Sequence, residues 1–218
     1  MTPTVRSTRP TRADRRRQLA ETATELIQEI GYDRVSVNDL ADRAQMSVGG
    51  MYRYIKNKSD LLVMACEGIY GGLQEDIIEA AGGASDAVGQ LRRAMTAYFE
   101  ACRSNRQQVL LMYREYRNLP PEAKHRYVER EQAITDTFAD LIRAGVAEGV
   151  FREVDTDVFA HDIVFLGHFP ALKSWAAKVK PDSAAFAEVQ VDLLLVALVN
   201  DGSQPAAHHL RPNQESRS

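Results

Sequence analysis

The chain has little of what catalysis, export or membrane insertion requires. It holds two cysteines, Cys66 and Cys102, and one tryptophan, and its longest uninterrupted apolar run is the seven residues 193–199. Two cysteines cannot build a disulfide framework, so a reducing cytoplasm is expected; both sit in helix-like apolar patterns and read as plain buried thiols. A run of seven falls far short of the roughly 20 apolar residues a spanning helix needs. No nucleophile elbow, phosphate loop, HExxH or paired-cysteine motif occurs, and Cys102 has no evident base nearby in sequence, which weighs against an enzyme. The arginine-rich N-terminus has no apolar stretch behind it, so it does not read as a secretory signal. There is no strand-type alternation and no internal repeat.

What is present suits a helical protein. Over 218 residues, 44% are hydrophobic and 26% charged, which is enough apolar material for a core in one large domain or a small one joined to a larger. The net charge of -3 hides an asymmetry: residues 1–60 carry 11 Lys+Arg against 8 Asp+Glu, and the remainder 16 against 22. Arg6, Arg9, Arg12, Arg15, Arg16 and Arg17 are opposed only by Asp14. A basic arm on an otherwise acidic chain suits a polyanion partner at one end, although a solvated leader explains the bias as well.

Leu19, Ala20, Ala23, Leu26, Ile27 and Ile30 repeat as one buried helix face. Thr11 with Asp14 caps its start and Gly31 its end, giving a helix over about 12–30, against which Tyr32 and Val35 pack back. Ser36 with Asp39 opens a short second helix. After a break at Gln45 and Met46, Ser47 caps a third that reaches about Ile55. Asn57 caps a fourth, expected to run to about Ala80 with Leu61, Leu62, Ala65 and Ile69 inward. Helices over about 86–103, 106–118, 121–149, 156–178 and 183–199 follow, with Pro121 in a first turn and Asp155 and Asp182 as caps. The expectation is an all-α fold of about nine helices.

The informative stretch is SVNDLADRAQMSVGGMYRYIKNKSDLL, residues 36–62. Two short capped helices behind a longer amphipathic one are what a tri-helical DNA-binding unit needs. A helix entering a groove about 12 Å wide should be small at its N-terminal face, and Ser47, Gly49 and Gly50 make it so. Each glycine costs a helix about 1 kcal/mol relative to alanine, so two in one turn imply close approach, either to a ligand or to another helix. Tyr52, Arg53 and Tyr54 supply hydroxyls and a guanidinium, and Lys56 and Lys58 positive charge suited to phosphates. Met51 and Ile55 fall opposite and read as core.

This stretch resembles the DNA-binding domain of the TetR family of repressors, in the run Tyr52, Tyr54, Ile55 and Lys58 within MYRYIKNKSDLL; the likeness covers about residues 15–62 without a gap. One position departs from it: the turn residue commonly glycine is Gln45, which puts the angle between the two short helices in question. The resemblance implies backbone contacts from Ser36, Ser47, Tyr52 and Lys58, and base-edge contacts from Val48, Gly49, Gly50, Arg53 and Tyr54. The cations Arg15, Arg16 and Lys56 complete the expected interface with double-stranded operator DNA. The corresponding plan is a disordered basic arm over 1–11, a helix-turn-helix domain over 12–57, a helical ligand-binding and dimerisation domain over 58–200, and a disordered tail over 201–218.

The family also pairs its last two helices across a homodimer. Leu193, Leu194, Val196, Ala197 and Leu198 make the last helix apolar around much of its circumference, which suits that role, with burial inside one subunit as the competing reading. Tyr98, Phe99, Cys102, Met112, Tyr113, Tyr116, Arg117, Phe165, His168, Phe169 and Trp175 are the candidates to line an effector pocket, each of them equally a core residue. His161 and His168 are seven apart, too distant to share a metal without other ligands, so neither a metal nor a cofactor is expected. Residues 113–155 resemble the ligand domains of TetR-type repressors of fatty-acid or steroid breakdown, which sense acyl-CoA thioesters. Arg114, Arg117, Lys124, His125 and Arg126 could meet CoA phosphates, though a solvated helix face accounts for them too. A hydrophobic xenobiotic as effector, and a DNA-binding protein with no ligand, remain the alternatives.

Overall fold

The computed structural model describes residues 11–67, 71–175 and 183–200. Every regular element among them is helical: α1 (Arg12–Ile30), α2 (Val37–Arg43), α3 (Val48–Met51), α4 (Lys58–Glu67), α5 (Leu73–Gly82), α6 (Ala87–Ser104), α7 (Arg106–Glu115), a single 3-10 turn (Tyr116–Asn118), α8 (Pro121–Ala147), α9 (Thr156–Lys173) and α10 (Ala184–Leu198). The expected basic arm, Ile69, Asp182 and the C-terminal tail lie outside the described residues.

The capping residues decide the helix starts. Thr11 and Asp14 exchange side-chain and backbone hydrogen bonds, as do Ser36 and Asp39, and Gly31 ends α1 at a φ of 83°. Asp155 accepts from the backbone N–H of Val158 to open α9. Ser183, not Asp182, caps α10 by accepting from Phe186. The expected fourth helix is two, because Gly72 adopts a φ of 83° between α4 and α5, a left-handed conformation that glycine reaches without a Cβ penalty. The expected third helix is shorter: α3 ends at Met51, and Tyr54 N–H bonds back to the Met51 carbonyl three residues earlier, so the chain tightens rather than continuing as α-helix.

The chain forms two compact units. One comprises the described residues to Gly71 with Gln107–Tyr127; the other Gly72–Arg106 with the described residues from Val128 onward. The core of the first holds Leu19, Ala23, Ile27, Leu40, Met51, Ile55, Leu61 and Leu62, as the periodicity predicts, but also Leu111, Met112, Leu119 and Ala123 from the later segment. A boundary at residue 57 therefore falls inside this unit, since α4 supplies its core. The second unit is a helical bundle with Leu91, Met95, Tyr98, Phe138, Ile142, Ile163, Leu195 and Leu198 inside. There the chain after α8 clasps the end of α10: the backbone N–H of Arg152 donates to the Leu198 carbonyl and that of Asn200 to Val150, each at 2.9 Å.

Candidate nucleic-acid interface and effector-binding unit

In the first unit, α1, α2 and α3 hold one another through apolar contacts and one bidentate ion pair. The Arg43 guanidinium meets the Glu29 carboxylate at 3.0 and 2.6 Å, joining α2 to α1 and lowering the Glu29 pKa through those hydrogen bonds. Between α2 and α3, Gln45 has a φ of 53°, and among the described residues it is the one non-glycine in that region. The turn is thus made in left-handed geometry without glycine, at a backbone cost of roughly 1–2 kcal/mol for an L-residue.

Ser47 caps α3 by accepting from the Gly50 N–H at 3.1 Å. A Cβ built on Gly49 would meet no atom within 4 Å, and one on Gly50 would meet only its neighbours Ser47, Met46 and Arg53. No helix packs against the two glycines, so packing inside the subunit does not account for them. Met51 and Ile55 are buried on the opposite side, as their spacing predicts, leaving Val48, Gly49, Tyr52 and Arg53 exposed together. Tyr52 keeps 52% of its surface in solvent, an unusual state for an aromatic ring on a small unit. Tyr54 is half-buried against the core.

The cations are arranged around this face. Lys58 is partly engaged within the unit: its ammonium donates to the Asp33 carbonyl at 2.5 Å and lies 5.0 Å from the centre of the Tyr32 ring. An ammonium has three donors, so this contact aims it without exhausting it. Lys56 is exposed, its backbone N–H held by Asp60 at 2.7 Å. Ser36 accepts from the Asp39 N–H while its own hydroxyl donates to the Asp39 carboxylate at 2.6 Å, so its first duty is the cap. On α1, Arg15 donates to the Gln18 side chain at 2.9 Å and Arg16 is exposed.

The effector candidates do not gather in one place. Met112 is buried in the core of the first unit, and Tyr116 packs on that core edge-on to Tyr127; Tyr113 and Arg117 are exposed residues of the same unit. Phe165 and Trp175 point to solvent from the second unit. Tyr98, Phe99, Cys102 and His168 do come together, buried in its interior. The Tyr98 hydroxyl lies 3.1 Å from the Val164 carbonyl and 3.0 Å from His168 Nε2. A carbonyl only accepts, so the tyrosine donates to Val164 and takes the His168 Nε2–H in return. Burial lowers the His168 pKa to about 4, so the ring is neutral at physiological pH. Burial also pushes the Cys102 thiol up to about 12, which keeps it protonated and unsuited to nucleophilic attack.

Near these residues the second unit has a cleft of ≈ 270 Å³, open solvent included, lined by Phe99, Arg103, Gly167, Pro170, Phe186 and Gln190 among others. Phe169 stacks on Phe186 with ring centres 6.0 Å apart. Arg103, Gly167, Pro170 and Gln190 were absent from the sequence-based candidates. Gly167 and Pro170 carried a signal, as two helix breakers inside an otherwise apolar helix. Among the described residues no cluster of metal-ligating side chains occurs, and no helix is long and apolar enough to cross a membrane.

Residues 19–65 match the family model described as bacterial regulatory proteins, tetR family, and residues 84–175 match that of the tetracyclin repressor-like C-terminal domain. Among curated proteins, the chain is 28% identical over 182 residues to the HTH-type transcriptional regulator HbdR of Aromatoleum sp. strain CIB, covering 84% of this chain and 80% of the relative. It is 26% identical over 149 residues to the transcriptional repressor KstR2 of Mycobacterium tuberculosis, covering 66% and 73%. Among solved structures, a regulatory protein of the tetR family from Rhodococcus RHA1 superposes with a TM-score of 0.74 at 23% identity, over 87% of this chain and 98% of that one. AibR, solved in complex with isovaleryl coenzyme A and operator DNA, superposes with a TM-score of 0.66 at 22% identity, over 83% and 98%.

Proposed function

The chain belongs to the TetR family of bacterial transcriptional regulators, and on that footing we propose that it is a repressor that grips a palindromic operator as a homodimer and lets go when an acyl-CoA thioester binds its second unit. The observation that carries the DNA-binding half is the bare face of α3. Gly49 has no neighbour within 4 Å, while Val48, Tyr52 and Arg53 stand exposed beside it on a firmly cored unit. A face so shaped fits the floor of a major groove, with Arg53 and Tyr54 at base edges and Ser36, Ser47, Tyr52, Lys56 and Lys58 on phosphates. Arg15 and Arg16 add positive charge from the start of α1.

Dimerisation rests on α9 and α10. Val189, Leu193 and Val196 form an exposed stripe along α10, with Leu193 58% and Val196 74% in solvent, and α9 exposes Val158 and Phe165. Large apolar side chains grouped in this way call for a partner surface. A second copy of the same face would place two α3 helices on successive turns of DNA.

The acyl-CoA reading is supported by the relatives: AibR was solved with isovaleryl coenzyme A, and one of the listed relatives is the fatty acid metabolism regulator protein of Bacillus subtilis, 23% identical over 188 residues. Selection of binding sites from a random-sequence duplex library tests the proposal. Enrichment of an inverted repeat with half-site centres roughly 34 Å apart, or a multiple of that, is the expected result. Failure to enrich any sequence would overturn it.

A further inference from the structure

Gly167 stands between the cleft of the second unit and the buried Tyr98–His168 pair. One side of it lines the cleft beside Phe99 and Pro170. On the other, a Cβ would fall 2.4 Å from the Tyr98 ring, so the ring closes directly against the Gly167 backbone. At ≈ 270 Å³, open solvent included, the cleft is smaller than the roughly 300–1,000 Å³ of ordinary small-molecule sites. It can grow inward if the Tyr98 ring withdraws. The helix that forms its wall is suited to yield there, because Pro170 has no N–H to give the Leu166 carbonyl and α9 lacks one rung at that point.

The hydrogen bonds say what must replace the ring. Val164 is four residues before His168 in α9, so its carbonyl keeps its helical bond when the Tyr98 hydroxyl leaves. His168 Nε2–H would lose the acceptor it has in Tyr98, and a buried donor without one costs about 1–3 kcal/mol. The entering group must therefore bring a hydrogen-bond acceptor. It must also be uncharged, since the surroundings already hold the imidazole neutral against its own protonation. An apolar chain bearing a carbonyl meets both demands, whereas a free carboxylate does not.

We propose that the cleft and the space held by the Tyr98 ring form a single effector site, in which the carbonyl of an acyl thioester displaces the Tyr98 hydroxyl from His168 and the hydrocarbon lies along Phe99, Pro170 and Phe186. Arg103 and Gln190 line the mouth, where the polar remainder of the ligand leaves the protein. This site rests on the acyl-CoA reading above and names the residues that would carry it. Tyr98 is then a competitor of the ligand, held on the acceptor the ligand needs to replace.

The test is calorimetric titration of the full-length protein with butyryl-CoA, octanoyl-CoA and free octanoate. A thioester should bind the wild type, and octanoate at least about tenfold more weakly. Ala187→Phe, which fills the cleft, should weaken thioester binding about tenfold or more. Tyr98→Phe, which removes the competing acceptor but keeps the ring, should strengthen it by about fivefold or more. If Ala187→Phe lowers the ligand-free melting temperature, the sign of the Tyr98→Phe effect decides alone. Thioester binding that ignores Ala187→Phe, or that weakens or stays level in Tyr98→Phe, overturns the site and leaves the acyl-CoA effector standing. Absence of binding of both thioesters to the wild type overturns both.

Discussion

Two residues carry costs that stand out against their surroundings, and each cost can be measured. Gln45 holds the turn between α2 and α3 at a φ of 53°, where an L-residue is disfavoured. Gln45→Gly removes that penalty but adds the backbone entropy that glycine loses on folding, about 0.5–1 kcal/mol. The two nearly offset, so thermal melting should show a rise of at most about 1 kcal/mol in stability. Gln45→Val, branched at Cβ, should destabilise by more than about 1 kcal/mol, and equal stability of the two variants would refute this account of the turn. The second residue is His168, whose folded pKa is lowered to about 4 from 6.5. Between those values the unfolded chain binds a proton that the folded protein refuses, so stability falls as pH drops from 6.5 to about 4 and levels off below. The full loss is on the order of 3 kcal/mol. His168→Gln, which keeps a donor and cannot titrate there, should flatten the melting temperature across that window.

At the scale of elements, helix starts were legible wherever a short polar side chain accepts its own backbone N–H three residues on, as Thr11, Ser36, Ser47 and Asp155 do. The buried faces of α1 and α4 were legible from period alone. The break between α4 and α5 was not, because apolar spacing continues through it and a glycine pair inside a helical pattern does not announce a left-handed turn. The effector residues were least legible. Met112 and Tyr98 look alike in sequence, yet one joins the core of the first unit and the other that of the second, a distinction set by tertiary packing. Helix α10 gives a prediction at this scale. Val191, Leu194, Leu195 and Leu198 face the core, whereas Leu193 and Val196 do not. Leu193→Glu should therefore leave helicity and melting of the isolated subunit intact while shifting sedimentation to the monomer. A dimer that survives the substitution, as well as one at Val196, would move the interface elsewhere.

The molecule as a whole joins a small unit whose exposed features face DNA to a bundle whose unusual features are internal. The distribution of charge agrees: residues 1–60 are net basic and the remainder net acidic, so attraction to a polyanion is confined to one end. Its operator affinity should fall with salt at about -0.9 log unit per phosphate contact per log unit of salt, as for any protein held by the sugar-phosphate backbone. The central claim is that α3 enters the groove with its glycine face foremost, and Gly49→Ala tests it most directly. The added methyl meets nothing within 4 Å in the protein and favours helix by up to about 1 kcal/mol, so the melting temperature should hold or rise. Affinity for the selected operator, measured by fluorescence anisotropy at fixed salt, should nevertheless drop at least about tenfold, whereas unchanged affinity would place the DNA against some other face.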